Sequence, residues 1–111
     1  MAELDMTSLQ LQPRYLAMVQ AMLDRHLPKA EVWAYGSRVN GDCHDASDLD
    51  LVVRNPAALD TALPDLSDLK DALVESNLPI RVDLVDWARI PEAFRREIER
   101  AYVLVQRGGN E

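Results

Sequence analysis

The sequence is short of the residues that would commit it to several environments. It has one cysteine, Cys43, among 111 residues, so no internal disulfide can form. A reducing, cytoplasmic setting is the expectation. No apolar run approaches the roughly 18 residues that read as a membrane span. The opening stretch MAELDMTSLQ is acidic and does not read as a secretory leader. Basic residues are also in the minority: 12 Lys and Arg face 19 Asp and Glu, for a formal charge of −7. That balance argues against direct, nonspecific binding to a nucleic-acid backbone, which needs a basic footprint. It leaves a nucleotide open, because divalent cations can sit between protein carboxylates and phosphates. There is no internal repeat and no low-complexity segment.

What remains is the ordinary mixture of a soluble globular protein, with 48% hydrophobic and 28% charged residues. The length fits a single domain over residues 1–111, able to bury a modest core but not to enclose a deep cleft of its own. Tyr15, Met18, Val19, Met22 and Leu23 recur at helical spacing between Pro13 and Leu27, and Pro28 ends that helix. Glu31 to Tyr35 (EVWAY) reads as a strand, broken by Gly36-Ser37 and a polar stretch from Arg38 to Ser47. Asp48 to Val53 reads as a second strand with two carboxylates at one end. Leu66, Leu69 and Leu73 mark a helix from about Asp65 to Ser76. Ile80 to Val85 is a third strand, and Ile90-Pro91 opens a last helix with Phe94, Ile98 and Ala101 inward. Tyr102 to Val105 either prolongs that helix or forms a short edge strand, and Arg107 to Glu111 is a frayed tail. This order implies an α/β (α+β) fold, a small mixed β-sheet with flanking helices.

Three features carry chemistry. Gly36-Ser37 follows directly on a strand. Asp48 and Asp50 lie two apart, so strand alternation points both one way while Leu49 and Leu51 enter the core. Asp83 interrupts the apolar run around Val82, Leu84 and Val85. Adjacent carboxylates repel and are costly to desolvate, and a divalent cation relieves both penalties. Oxygen ligands on a rigid strand suit Mg²⁺, which also takes oxygens from substrate phosphates. With matching facing, Asp83 joins the cluster, and three such groups can hold two metals about 4 Å apart. Gly36 lets backbone approach a phosphate, the Ser37 hydroxyl can donate to one, and Arg38 can neutralise one or face away. Each feature alone is most often bland: a turn, a solvated strand end, a carboxylate on a wet sheet face.

Taken in order, they resemble a known family. Tyr35-Gly36-Ser37-Arg38-Val39-Asn40-Gly41, followed by Ser47-Asp48-Leu49-Asp50-Leu51-Val52-Val53, is similar to the signature of the minimal nucleotidyltransferases of the polymerase-beta-like superfamily. The family pattern is GSRARG or similar, then SDxDL. Val39 and Asn40 depart from it, and Asn40 puts in doubt any role for a second arginine. Arg81-Val82-Asp83-Leu84-Val85-Asp86 resembles the strand that bears the third aspartate. The resemblance implies nucleotidyl transfer with Mg²⁺, usually from ATP. It implies phosphate binding at Gly36 and Ser37, and metal binding and catalysis at Asp48, Asp50 and Asp83. It further implies a separate helical HEPN-type or substrate-binding partner protein, in several pairs a toxin silenced by AMP attached at a tyrosine, with the transferase as antitoxin.

The remaining candidates have plainer readings. Asp86 is expected as a cap or turn residue. Asp42, Cys43, His44 and Asp45 are loop residues without a second Cys or His at ligand spacing. His26 is a cation near a helix C-terminus. Trp33 and Trp87 are expected as core or partner-contact residues, and Tyr102 as core, with self-modification its alternative. Arg89, Arg95, Arg96 and Arg100 form a solvated helix face. The alternative to an enzyme is a non-catalytic binding module that neutralises a helical partner by docking, which exposed apolar residues on the first or last helix would favour.

Overall fold

The computed structural model describes residues 3–41, 48–56, 58–61 and 66–107. The expectations for Asp42, Cys43, His44 and Asp45, and for the tail beyond Arg107, fall outside those residues. In chain order the elements are β1 (Glu3–Leu4), α1 (Pro13–His26), β2 (Glu31–Tyr35), the one-turn α2 (Ser37–Asn40), β3 (Leu49–Arg54), α3 (Leu66–Glu75), β4 (Val82–Asp86), α4 (Glu92–Glu99) and β5 (Tyr102–Gln106). Short 3-10 turns precede α1, at Met6–Ser8, and α4, at Trp87–Arg89. The described strands form one mixed sheet in the order β1-β5-β2-β3-β4. Strand β2 is antiparallel to both neighbours, whereas β3 and β4 run parallel.

Alternation along the strands divides the molecule into two apolar layers. Val32 and Ala34 of β2, Leu49, Leu51 and Val53 of β3, Leu84 of β4 and Val103 and Val105 of β5 face one side. Val19 and Leu23 of α1 and Leu69 and Leu73 of α3 cover them. Val19, Leu23 and Leu69 have no accessible surface, and each such burial contributes about 1.5–3 kcal/mol. The opposite face collects Trp33, Tyr35, Val52 and Tyr102 under Trp87 and Ile98, with Phe94 and Leu104 packed alongside. Trp33 stacks on Tyr102 with centroids 3.8 Å apart and meets Trp87 edge-on at 5.4 Å. The guanidinium of Arg54 lies 4.1 Å from the Trp33 centroid and 4.6 Å from that of Trp87, and donates to Glu31 at 2.7 Å. Both tryptophans and Tyr102 are therefore core residues.

Helix α1 starts with Pro13 in its first turn and ends where the Leu27 amide donates to Leu23 O at 2.7 Å, before Pro28. Arg25 and His26 occupy its last turn, where the helix dipole favours cations. Several features differ from expectation: β4 starts at Val82 rather than Ile80, and the polar stretch after Gly36 opens with the helical turn α2. The run Tyr102–Gln106 is a strand, and it lies inside the sheet rather than at its edge, because β1 pairs parallel to it through Glu3↔Tyr102 and Leu4↔Val103. Two residues carry no periodicity, so β1 has no sequence signature; it exists because β5 offers it a ladder. Strand β3 starts at Leu49 and extends to Arg54, held there by the Glu31 ion pair, so Asp48 precedes the strand. No helix of the described residues is long and apolar enough to cross a membrane.

Candidate active site

The site starts from the pairing of three strands. Tyr35 of β2 lies opposite Asp50 of β3, and Asp50 lies beside Asp83 of β4. Register partners share a face, and neighbouring strands are about 4.8 Å apart. Tyr35, Asp50 and Asp83 therefore form one row across the sheet, on the Trp33 side and one step beyond the aromatic layer. The next row, Trp33, Val52 and Val85, is apolar and closes the floor. Asp83 and Asp48 are exposed and Asp50 is half-buried.

The electrostatics follow from this geometry. Burial pushes the Asp50 carboxyl above its ordinary value of 3.8, and the charges of Asp83 and then Asp48 push it further. The Tyr35 phenol is raised for like reasons: burial first, then Asp50 and Asp83. Asp50 thus feels both other acids that the sequence singles out. The row is an anionic patch whose repulsion a cation would relieve. Among the described residues no group of three or more His, Cys, Asp or Glu side chains is arranged to hold a metal ion by itself. The donor chemistry still fits a hard cation of small demand. Mg²⁺ is commonly held by one or two carboxylates and completed by water and substrate phosphates.

Gly36 sits between this row and the turn. Its backbone, at φ 84 and ψ −154, lies in a region that side chains avoid. A Cβ there would crowd Oδ2 of Asp50 and come within 3.3 Å of its Cγ. Glycine is thus required twice at this position, by the bend and by the carboxylate packed against it. The turn closes as the Val39 amide donates to Gly36 O at 3.0 Å, and Ser37 becomes the first residue of α2. Gly41, at φ 92, ends α2 in a left-handed conformation.

Arg38 is placed behind the turn. Its guanidinium is buried and Nη1 donates to Gln10 O at 2.7 Å, while the Gln10 amide donates back to Arg38 O at 2.7 Å. This exchange ties α2 to the segment before α1, so Arg38 braces the Gly-Ser bend from inside. Asp86 is a cap: buried, it accepts from the Ala88 amide at 3.1 Å, with Arg89 at 3.8 Å. Of the arginine set, Arg96 pairs with Glu92 on the exposed face of α4. Arg95 turns inward instead, donating to Trp87 O at 2.9 Å. The exposed large hydrophobics among the described residues are Met6, Leu59 and Val74; none lies on α1 or α4. Tyr35 is the member of the row to which the sequence reading gave no role. Its signal was its place one residue before Gly36, on the strand that pairs with Asp50.

Comparison with known proteins bears on this arrangement. The family model for the central palm domain of mitochondrial-like poly(A) RNA polymerase matches residues 2–95. A Haemophilus influenzae protein described as a probable protein adenylyltransferase MntA is 44% identical over 98 residues, covering 88% of this chain and 84% of the relative. A crystal structure described as a toxin-antitoxin with AMP-PNP has the same fold. It is 20% identical with a TM-score of 0.66, over 88% of this chain and 76% of that one.

Proposed function

Because the chain belongs to the minimal nucleotidyltransferases of the polymerase-beta-like superfamily and is a nucleotidyltransferase, we propose that it transfers AMP from ATP to a hydroxyl of a helical HEPN-type partner protein. In this reading residues 1–111 act as one domain, in the cytoplasm, as the antitoxin of a toxin–antitoxin pair. The name of the Haemophilus influenzae relative supports protein adenylylation, and that of the structural neighbour supports an adenine nucleotide and a toxin–antitoxin setting.

The observation that carries the reading is the row Asp50–Asp83 in register beside the side-chain-free bend at Gly36. Asp48, Asp50 and Asp83 would hold Mg²⁺, which when bound neutralises phosphate charge and acidifies the acceptor hydroxyl. Gly36 and Ser37 receive the triphosphate through backbone amides and the Ser37 hydroxyl, with Arg38 keeping the bend in place. Asp83, exposed at the outer end of the row, takes the hydroxyl proton. The acceptor oxygen forms a bond to the α-phosphorus, the bond from that phosphorus to the β-bridging oxygen breaks, and pyrophosphate leaves. Positioning and charge do most of the work in such transfers.

The test is label transfer from α-labelled ATP to the partner in Mg²⁺. Asp48→Asn and Asp50→Asn should each abolish transfer while circular dichroism and melting report an intact fold. Full transfer by the double variant would refute the assignment.

A further inference from the structure

Strand β4 ends the sheet, and among the described residues no strand lies beyond it. Half of its backbone N–H and C=O groups therefore point outward without a ladder partner. Beside this edge, between α3 and β4, lies a groove of about 430 Å³ lined by Leu73, Val74, Leu78, Ile80 and Val82. Val74 is 82% exposed, far more than Met6 or Leu59, the other exposed large hydrophobics among the described residues. Two exposed cations, Lys70 and Arg81, belong to the same lining, and neither forms an ion pair with a described residue. In a chain of net charge −7, this lining carries two cations against one anion, Asp83. Asp83 contributes to the groove's rim as well, although its side chain faces the other side of the sheet, so groove and row meet across the edge strand.

We propose that this edge docks the acceptor as an extended segment. The segment adds a strand to β4, sets an apolar side chain into the groove, and places acidic side chains against Lys70 and Arg81. The inference rests on the transfer reading above for the role of Asp83. Strand alternation makes it specific. Val82 and Leu84 face the α3 side, whereas Asp83 and Val85 face the row. Neighbouring residues of a docked strand point to opposite faces of the sheet. An apolar anchor in the groove therefore puts the residue next to it on the Asp83 side, where its hydroxyl meets the row. The acceptor sequence so selected is an apolar residue next to a hydroxyl-bearing one, with acidic residues on either side. Backbone pairing supplies affinity, and the groove with its flanking cations supplies selectivity, as in other strand-addition complexes.

The experiment uses two synthetic peptides. Each carries a leucine next to a tyrosine in a β-branched frame, one flanked by glutamates and the other by lysines. Binding is followed by fluorescence anisotropy at low salt, where exposed charges are least screened. The glutamate peptide should bind about fivefold or more tightly than the lysine peptide, the size expected of two partly exposed ion pairs. It should also slow amide exchange over Val82–Asp86. The double variant Lys70→Glu/Arg81→Glu should reverse the preference, and Val74→Lys should weaken both peptides. Both variants should bind AMP-PNP with Mg²⁺ as the wild type does, which separates docking from folding. Equal binding of the two peptides, no binding at millimolar peptide, or binding that leaves β4 exchange unchanged overturns the proposal. So does concentration-dependent self-association that Val74→Lys abolishes, which would assign the edge to a second copy. A glutamate peptide that protects β4 but takes no label from ATP in Mg²⁺ would leave the dock standing and refute the transfer reading. Labelling without protection of β4 would do the reverse.

Discussion

Replacing Gly36 by alanine tests the site where the backbone and the carboxylates meet. Two penalties combine. At φ 84 and ψ −154 a non-glycine residue carries about 1–3 kcal/mol of strain. The added Cβ would also land against Oδ2 of Asp50, so the carboxylate must rotate or the bend must open. Gly41 is the internal control: its φ is 92, yet a Cβ there meets nothing within 4 Å. Gly41→Ala should lose about 1–2 kcal/mol from backbone strain alone. Gly36→Ala should lose at least about 1 kcal/mol more when Asp50 is present, and that excess should vanish in an Asp50→Ala background. Urea denaturation of the four Gly36/Asp50 combinations and Gly41→Ala measures this directly. If Asp50 is catalytic as proposed, displacing it by about 1 Å can cost about 100-fold in rate, so transfer by Gly36→Ala should fall by that order. An unchanged Gly36→Ala rate, or an excess cost that survives removal of Asp50, would refute the reasoning.

Other outcomes follow from the same structure. The Asp50 carboxyl titrates above its ordinary value of 3.8 in the folded state, so the native chain binds the proton more tightly than the unfolded one. This group's contribution to stability therefore falls as pH rises from the ordinary carboxylate value through the raised one, and stays lower above it. Without divalent cations, Asp50→Asn should melt higher than wild type at pH 7, and the gap should close toward pH 4; a lower melting point at pH 7 would contradict the assigned repulsion. Arg38→Met should cost about 2 kcal/mol through the lost charged hydrogen bond to Gln10 O, read by denaturant unfolding. Trp33→Ala should cost about 3–5 kcal/mol because it removes the ring that Tyr102, Trp87 and Arg54 pack against, whereas Val74→Ser should stay within about 0.5 kcal/mol.

Much of this was legible where local pattern and tertiary demand agree. Strand β2 runs from Glu31 to Tyr35 as its composition implies, and α1 lies between the two prolines that punctuate it. Alternation alone put Leu49 and Leu51 inside and Asp50 out, and pairing of β3 with β4 then brought Asp83 beside Asp50. The parts that could not be read depend on partners distant in the chain. Nothing local in Glu3–Leu4 marks a strand; β5 makes it one. The inward course of Arg38 depends on Gln10, which it meets across 28 positions. Tyr35 joins the acids only through its register with Asp50, a relation that one strand by itself does not contain.

The order of the strands sets different fragilities within one molecule. Asp50 stands on β3, clasped on both sides, whereas Asp83 stands on β4, which among the described residues has a neighbouring strand on one side only. Outermost strands fray before interior ones, so warming should loosen Asp83, the proposed proton acceptor, while the remainder of the sheet is still assembled. If Asp83 acts as proposed, turnover should have a thermal ceiling below the temperature at which the domain comes apart, and anything that clamps the outermost strand should raise that ceiling without adding to the core.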